Sequence, residues 1–202
     1  LFFDLMHEAT EQTGARDPLS WLVFLGSLGV SFVGLVALES SQVFGARSGN
    51  RILSLPYMIA VGMGLHNLGE GLAIGASYAG GEYTLSALLV AGFGLHNGTE
   101  GFGIVGAAGK TPISWRDVAL LGLIAGLPTC VGTFLSGQGV SSYFSICFYA
   151  LAAGSLLYVV LSLTVMSYTA TRRVQVSAGM FTGIAIMYLT AMILTLVSGV
   201  RS

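Results

Sequence analysis

Two phrases in this chain repeat the same ionisable residues at the same spacing. They are Gly64-Leu-His66-Asn67-Leu-Gly-Glu70-Gly71 and Gly94-Leu-His96-Asn97-Gly-Thr-Glu100-Gly101. In each, a histidine and a glutamate stand at i and i+4, which places them one above the other on a single helix face. Imidazole nitrogens and carboxylate oxygens together suit Zn²⁺, Fe²⁺, Mn²⁺, Co²⁺ or Ni²⁺. No thiolate lies near the motifs, so a Cu(I) site is not expected. Cys130 and Cys147 sit in other apolar runs without metal-ligand spacing and read as small core residues. Asn67 and Asn97 lie about 100° round the helix from their histidines. They could complete a second metal position, with the glutamates bridging, or hydrogen-bond the primary ligands. A single His–Glu pair would read as a hydrogen bond that merely fastens two helices. Duplication of the whole phrase favours metal.

The surroundings of these groups sharpen the reading. The chain has 202 residues, of which 54% are hydrophobic and only 8% charged, and its mean hydropathy is +0.82. Soluble domains carry about a quarter charged residues, so lipid is expected to cover much of this surface. A net charge of −1 gives no basic field for nucleic acid. Ionisable side chains inside a bilayer cost several kcal/mol unless paired or metal-bound. His66, Glu70, His96 and Glu100 are the ionisable groups near the middle of apolar spans, which makes them functional candidates by default.

The elements that must position them are helices. Six apolar stretches are long enough to cross a bilayer, at roughly 20–44, 54–80, 84–108, 117–137, 142–168 and 176–200. Glycine, proline and charged residues mark the breaks between them, and β-barrel alternation is absent from the pattern. The expected fold is an all-α polytopic bundle, a single transmembrane domain over 1–202. Residues 1–13 are expected to be the end of an earlier helix, since the sequence opens abruptly on Leu1-Phe2-Phe3. The two motifs are equidistant from the turn at Gly80-Gly-Glu-Tyr83, each roughly 22 Å from it at the α-helical rise. An antiparallel hairpin therefore brings both to one depth near mid-membrane, where two imidazoles and two carboxylates can converge.

Charge also gives an orientation. Arg47, Arg51, Lys110, Arg116, Arg172 and Arg173 fall on one side, against Arg16 and Arg201 on the other. The positive-inside rule makes the first group cytoplasmic and leaves the C-terminus outside. The chain has 29 glycines, often spaced small-xxx-small, as in Gly71/Gly75 and Gly122/Gly126. Close helix packing is the plain reading of that spacing. Sliding between helices is the sharper one.

The paired phrases resemble the metal-binding motifs on the fourth and fifth helices of the ZIP (Zrt/Irt-like) metal transporters, and especially the GufA-type bacterial branch. The resemblance continues in Ala125-Gly-Leu-Pro-Thr129 and in Phe148-Tyr-Ala-Leu-Ala-Ala-Gly-Ser-Leu-Leu-Tyr-Val159, so it covers essentially the whole chain. It implies eight helices with both termini outside, the chain supplying helices three to eight and the end of helix two. It further implies mid-membrane binding with alternating exposure to the two sides. His66, Glu70, His96 and Glu100 then hold the primary metal, and Asn67 and Asn97 match a secondary position. The implied cargo is a divalent transition metal, zinc first, with iron, manganese, cobalt, nickel or cadmium as others. Three departures favour one strong ion site over two. Gly69 and Thr99 stand where many members have proline, Thr129 where several have a glutamate, and Ser162 where an acidic residue is common.

Asp4, His7, Glu8 and Glu11 share one helical face, which reads either as a solvated, frayed end or as a group gathering cations on the outer side, with Asp4 the best entry candidate. Glu39, near the cytoplasmic end of its span, reads as an ordinary interfacial charge or, in the sharper reading, as a group that receives a departing ion. Glu82 reads as solvated, Pro56 as a helix start and Pro128 as a kink. The expectation is a multi-pass cell-membrane (inner or plasma membrane) transporter, not an enzyme, whose partners are the metal ion and the bilayer, with a possible homodimer. An intramembrane zinc hydrolase is the first alternative, but no HExxH is present and no spare general base is evident. A metal sensor without transport is the second.

Overall fold

The computed structural model describes residues 18–41, 54–139, 141–168 and 173–198. These residues form helices joined by short turns, with no strand among them. In chain order they are α1 (Pro18–Ser40), α2 (Ser54–Ala79), α3 (Tyr83–Gly106), α4 (Trp115–Ser136), α5 (Ser142–Tyr168) and α6 (Arg173–Ser198). Each coincides with one expected stretch to within about a turn. The N-terminal segment, Asp4 and the break containing Arg47 and Arg51 lie outside the described residues.

Local chemistry accounts for the helix limits. Pro56 occupies the first turn of α2, where its missing N–H is not needed. The α2–α3 turn runs through Gly81 at φ 81°, a left-handed conformation that glycine adopts without steric cost. At the start of α4, the Ser114 hydroxyl accepts a hydrogen bond from the Asp117 amide at 3.1 Å. The Asp117 carboxylate sits in the first helical turn, where the helix dipole favours it. It also accepts from the Tyr57 hydroxyl at 2.7 Å, joining the start of α2 to the start of α4.

The centre of the molecule is α2, which is buried along most of its length from Pro56 to Gly75. It packs most extensively on α4, then on α5 and α3, while α1 lies against α5. The α2–α4 contact depends on residues without side chains. A Cβ at Gly64, Gly71 or Gly75 would collide with the backbone of α4, and one at Gly132 with the backbone of α2. This is the close approach that small-xxx-small spacing permits. Pro128 contributes as well. Helix α4 runs on through it, but proline has no N–H to offer the carbonyl four residues earlier. That carbonyl belongs to Ile124, and Gly64 is the residue seated against it.

Two apolar clusters fill the interior on either side of the middle of α2. One gathers Met58, Ile59, Met63, Leu121, Tyr158 and Val159; the other gathers Phe24, Leu72, Ile146 and Tyr149. The outside is apolar as well, with Leu22, Val30, Phe102, Phe134, Phe181 and Tyr188 among many exposed large side chains. An apolar exterior on that scale is compatible with a membrane protein. Among the described residues, α1, α4 and α5 are long and apolar enough to cross a membrane. That is three helices, where the sequence gives six candidate stretches. For α2 and α3 the difference has a physical source, because their histidines, asparagines and glutamates lower the hydropathy of the helices that carry the motifs.

Candidate metal centre

Helices α2 and α3 run antiparallel from the Gly80–Glu82 turn, and the two motifs meet halfway along them. His66 and Glu70 project from one, His96 and Glu100 from the other. The Glu70 Oε1 atom lies between the imidazoles, 3.5 Å from His66 Nε2 and 3.6 Å from His96 Nε2. Glu100 Oε1 lies 2.9 Å from His96 Nε2 and 3.9 Å from His66 Nε2. The ligand atoms of His66, Glu70 and His96 all fall within 4.8 Å of one another. The two rings meet edge-on with centroids 6.1 Å apart.

The cluster is buried within an apolar interior. His66 is 0% and Glu70 2% exposed, and His96 and Glu100 are each 12% exposed. Yet neither ring nitrogen of His66 makes a hydrogen bond, nor do Glu70 Oε1 and Glu100 Oε2. Buried polar atoms are nearly always paired, and each one left unpaired costs about 1–3 kcal/mol. The distances suggest what would relieve this. A tetrahedral ion with ligand bonds of about 2.1 Å separates its ligand atoms by roughly 3.4 Å. Three of the four imidazole–carboxylate separations, at 3.5, 3.6 and 3.9 Å, are close to that spacing and too long for good hydrogen bonds.

Both asparagines have defined tasks. Asn97 Nδ2 donates to Glu70 Oε2 at 2.9 Å. This leaves Oε1 as the glutamate oxygen facing the imidazoles. Asn67 Nδ2 donates to the Ala125 carbonyl at 3.0 Å, tying the motif on α2 to α4. The Ala125 carbonyl can only accept, so Asn67 must present its amide nitrogen there. Of the two roles the sequence left open for Asn97, the structure shows the hydrogen bond to Glu70. The Ala125 carbonyl was not foreseeable from the motif, although Pro128 nearby signals irregular backbone in α4. Thr129 on α4 has a buried hydroxyl without a hydrogen-bond partner.

Other sequence candidates stand apart. Glu39 is exposed near the end of α1 and does not belong to the cluster. Asp4 lies outside the described residues. Among the described cysteines, Cys147 accepts a hydrogen bond from the Ser27 hydroxyl at 3.3 Å, and Cys130 is exposed, so neither joins the centre. No family model, curated protein or solved structure matches this chain.

Proposed function

We propose that the chain binds a divalent transition-metal ion at His66, Glu70, His96 and Glu100 and carries it across a membrane. The observation that carries this reading is a buried set of two imidazoles and two carboxylates, several of whose atoms are unpaired and spaced for a common ion. Zinc is the first candidate cargo, because imidazole nitrogen and carboxylate oxygen donors suit it, with iron, manganese, cobalt, nickel and cadmium as others.

Transport rather than storage is supported by the setting. A metal site among apolar helices offers an ion a station within the hydrocarbon layer, where bare charge is costly. In this reading all six helices span the bilayer, the Lys110 and Arg116 side is cytoplasmic, and the C-terminus lies outside. The resemblance of the paired motifs to those of the ZIP family supports the same function. Asn97 acts in it by holding Glu70, and Asn67 by anchoring α2 to α4.

Metal uptake into proteoliposomes tests the proposal, comparing the intact chain with Glu70→Ala and His96→Ala. Uptake by the intact chain and its loss in both variants is the expected result. Uptake that survives both substitutions would remove the site assignment. Metal binding without uptake would reduce the function to binding, and hydrolysis of a peptide or lipid would replace it with catalysis.

A further inference from the structure

Helices α3 and α4 part beside the motifs and leave an open groove of about 430 Å³. Its walls are hydrocarbon, with Phe102 and Val105 from α3 and Val118 and Leu121 from α4. Gly122 and Gly126 contribute no side chain, and a Cβ at either would meet nothing within 4 Å. Oδ1 of Asn67, Oδ1 of Asn97 and Oε2 of Glu100 are buried and do not face it. Phe102 is 80% exposed, so the groove opens sideways to whatever surrounds the helices. What it offers an occupant is hydrocarbon.

The mouth of the groove, at the α3–α4 turn, has a different character. Lys110 lies in the turn just after Val105, and Arg116 in the first turn of α4 just before Val118. Both cations are exposed. Asp117 is the one carboxylate in the sequence between Val105 and Val118. It is already engaged by the hydroxyls of Tyr57 at 2.7 Å and Ser114 at 2.5 Å. The turn therefore keeps an excess of positive charge. Trp115 beside it is 89% exposed, and an exposed indole at a helix end suits the membrane–water interface. From Val118 to Gly126 the groove runs about 12 Å along α4, away from that interface. Cations at the rim and a hydrocarbon slot leading inward match the parts of an anionic phospholipid in the same order, phosphate and then acyl chain. A neutral lipid would fill the slot and leave the two cations unmatched.

We infer that the α3–α4 groove binds an anionic glycerophospholipid from the leaflet on the Lys110 side. Its phosphate lies at Lys110 and Arg116, and one acyl chain lies along Gly122 and Gly126. The inference rests on the membrane-spanning reading of α3 and α4 and is independent of the metal.

Native mass spectrometry of the full chain in detergent, with one lipid titrated at a time, tests it. Dioleoylphosphatidylglycerol and dioleoylphosphatidylcholine share their chains and differ in charge; dihexanoylphosphatidylglycerol keeps the charged head on short chains. One equivalent of the long-chain phosphatidylglycerol should be retained, with an apparent Kd about fivefold or more below that of phosphatidylcholine. The short-chain lipid should not be retained. Lys110→Gln combined with Arg116→Gln should bring the two long-chain lipids to one Kd. Gly122→Leu combined with Gly126→Leu fills the slot and should remove the retained equivalent. Gly34→Leu, on α1 with equally open surroundings, should leave it in place. Equal Kd values in the parent chain, selectivity that survives loss of both cations, or retention that survives both glycine substitutions would each overturn the inference. A chain that stays dispersed once detergent is removed, with no lipid supplied, would overturn the membrane-spanning reading beneath it.

Discussion

Replacing Gly71 with alanine adds one carbon atom where α2 and α4 touch backbone to backbone. That carbon would overlap the Thr129 carbonyl oxygen and stand 2.9 Å from both the Thr129 carbonyl carbon and the Thr133 nitrogen. All three are main-chain atoms, so a rotamer change cannot relieve the overlap. Ordinary carbon contacts begin near 3.5 Å, and the helices must part by something on the order of 0.5–1 Å. The bond from Asn67 to the Ala125 carbonyl lies about one turn away and is already 3.0 Å long. Stretched by that amount it passes the useful limit of about 3.5 Å, at a cost of about 1–3 kcal/mol for a buried pair. With loosened packing included, the loss is on the order of 2–4 kcal/mol, against a gain of under about 1 kcal/mol from replacing a helical glycine. The net loss is then about 1–3 kcal/mol, and in a chain of this size each kcal/mol moves the apparent Tm by about 2–4 °C, so Gly71→Ala should melt about 2–12 °C lower. Gly122→Ala is the matched control, since its new carbon meets nothing within 4 Å. It should melt at or slightly above the parent. Thermal unfolding in nanodiscs reads both variants, and a shared Tm for the two would refute the reasoning.

Asn97→Leu removes the donor that holds Glu70, and a lost partner of this kind typically weakens metal binding about 10–100-fold, read by Co²⁺ titration. Glu70 itself is retained in that variant, so binding should be weakened rather than abolished. Tyr57→Phe and Asp117→Ala both break the bond between the starts of α2 and α4. Asp117→Ala should cost about 1–2 kcal/mol and Tyr57→Phe less, and a double-mutant cycle on Tm should be non-additive because the pair shares one bond. Metal affinity should fall as the solution is acidified, because histidine and carboxylate ligands must be deprotonated to bind. Titrations over a pH series, with proton release followed in weak buffer, check this, and a flat profile would exclude imidazole ligands.

The parts of the centre readable from sequence were those set by period and symmetry. His66 and Glu70 share a face because they are four residues apart, and both motifs share a depth because the Gly80–Glu82 turn lies midway between them. Contacts between helices distant in sequence were much less legible. Gly71/Gly75 and Gly122/Gly126 have the same spacing, yet the first pair is pressed against α4 and the second borders open space. Which of them packs depends on the rotation of each helix, and spacing alone does not encode that. The Ala125 carbonyl was similarly hidden, since a backbone acceptor leaves no mark in the side-chain pattern. Hydropathy points the other way at α2 and α3, where the residues that make the helices interesting chemically also make them less apolar.

The central claim is that His66, Glu70, His96 and Glu100 hold one metal ion in common. Co²⁺ is a spectroscopic substitute for Zn²⁺, and its visible ligand-field absorption reports coordination number and donor type. Titration of Co²⁺ into the purified chain in nanodiscs tests the claim most directly. The account predicts one equivalent bound, with the intensity of a low-coordinate nitrogen–oxygen site, displaced by Zn²⁺ and lost in both His66→Ala and Glu100→Ala. A spectrum of hexa-aqua Co²⁺ throughout the titration, or one that persists unchanged in both variants, would contradict it.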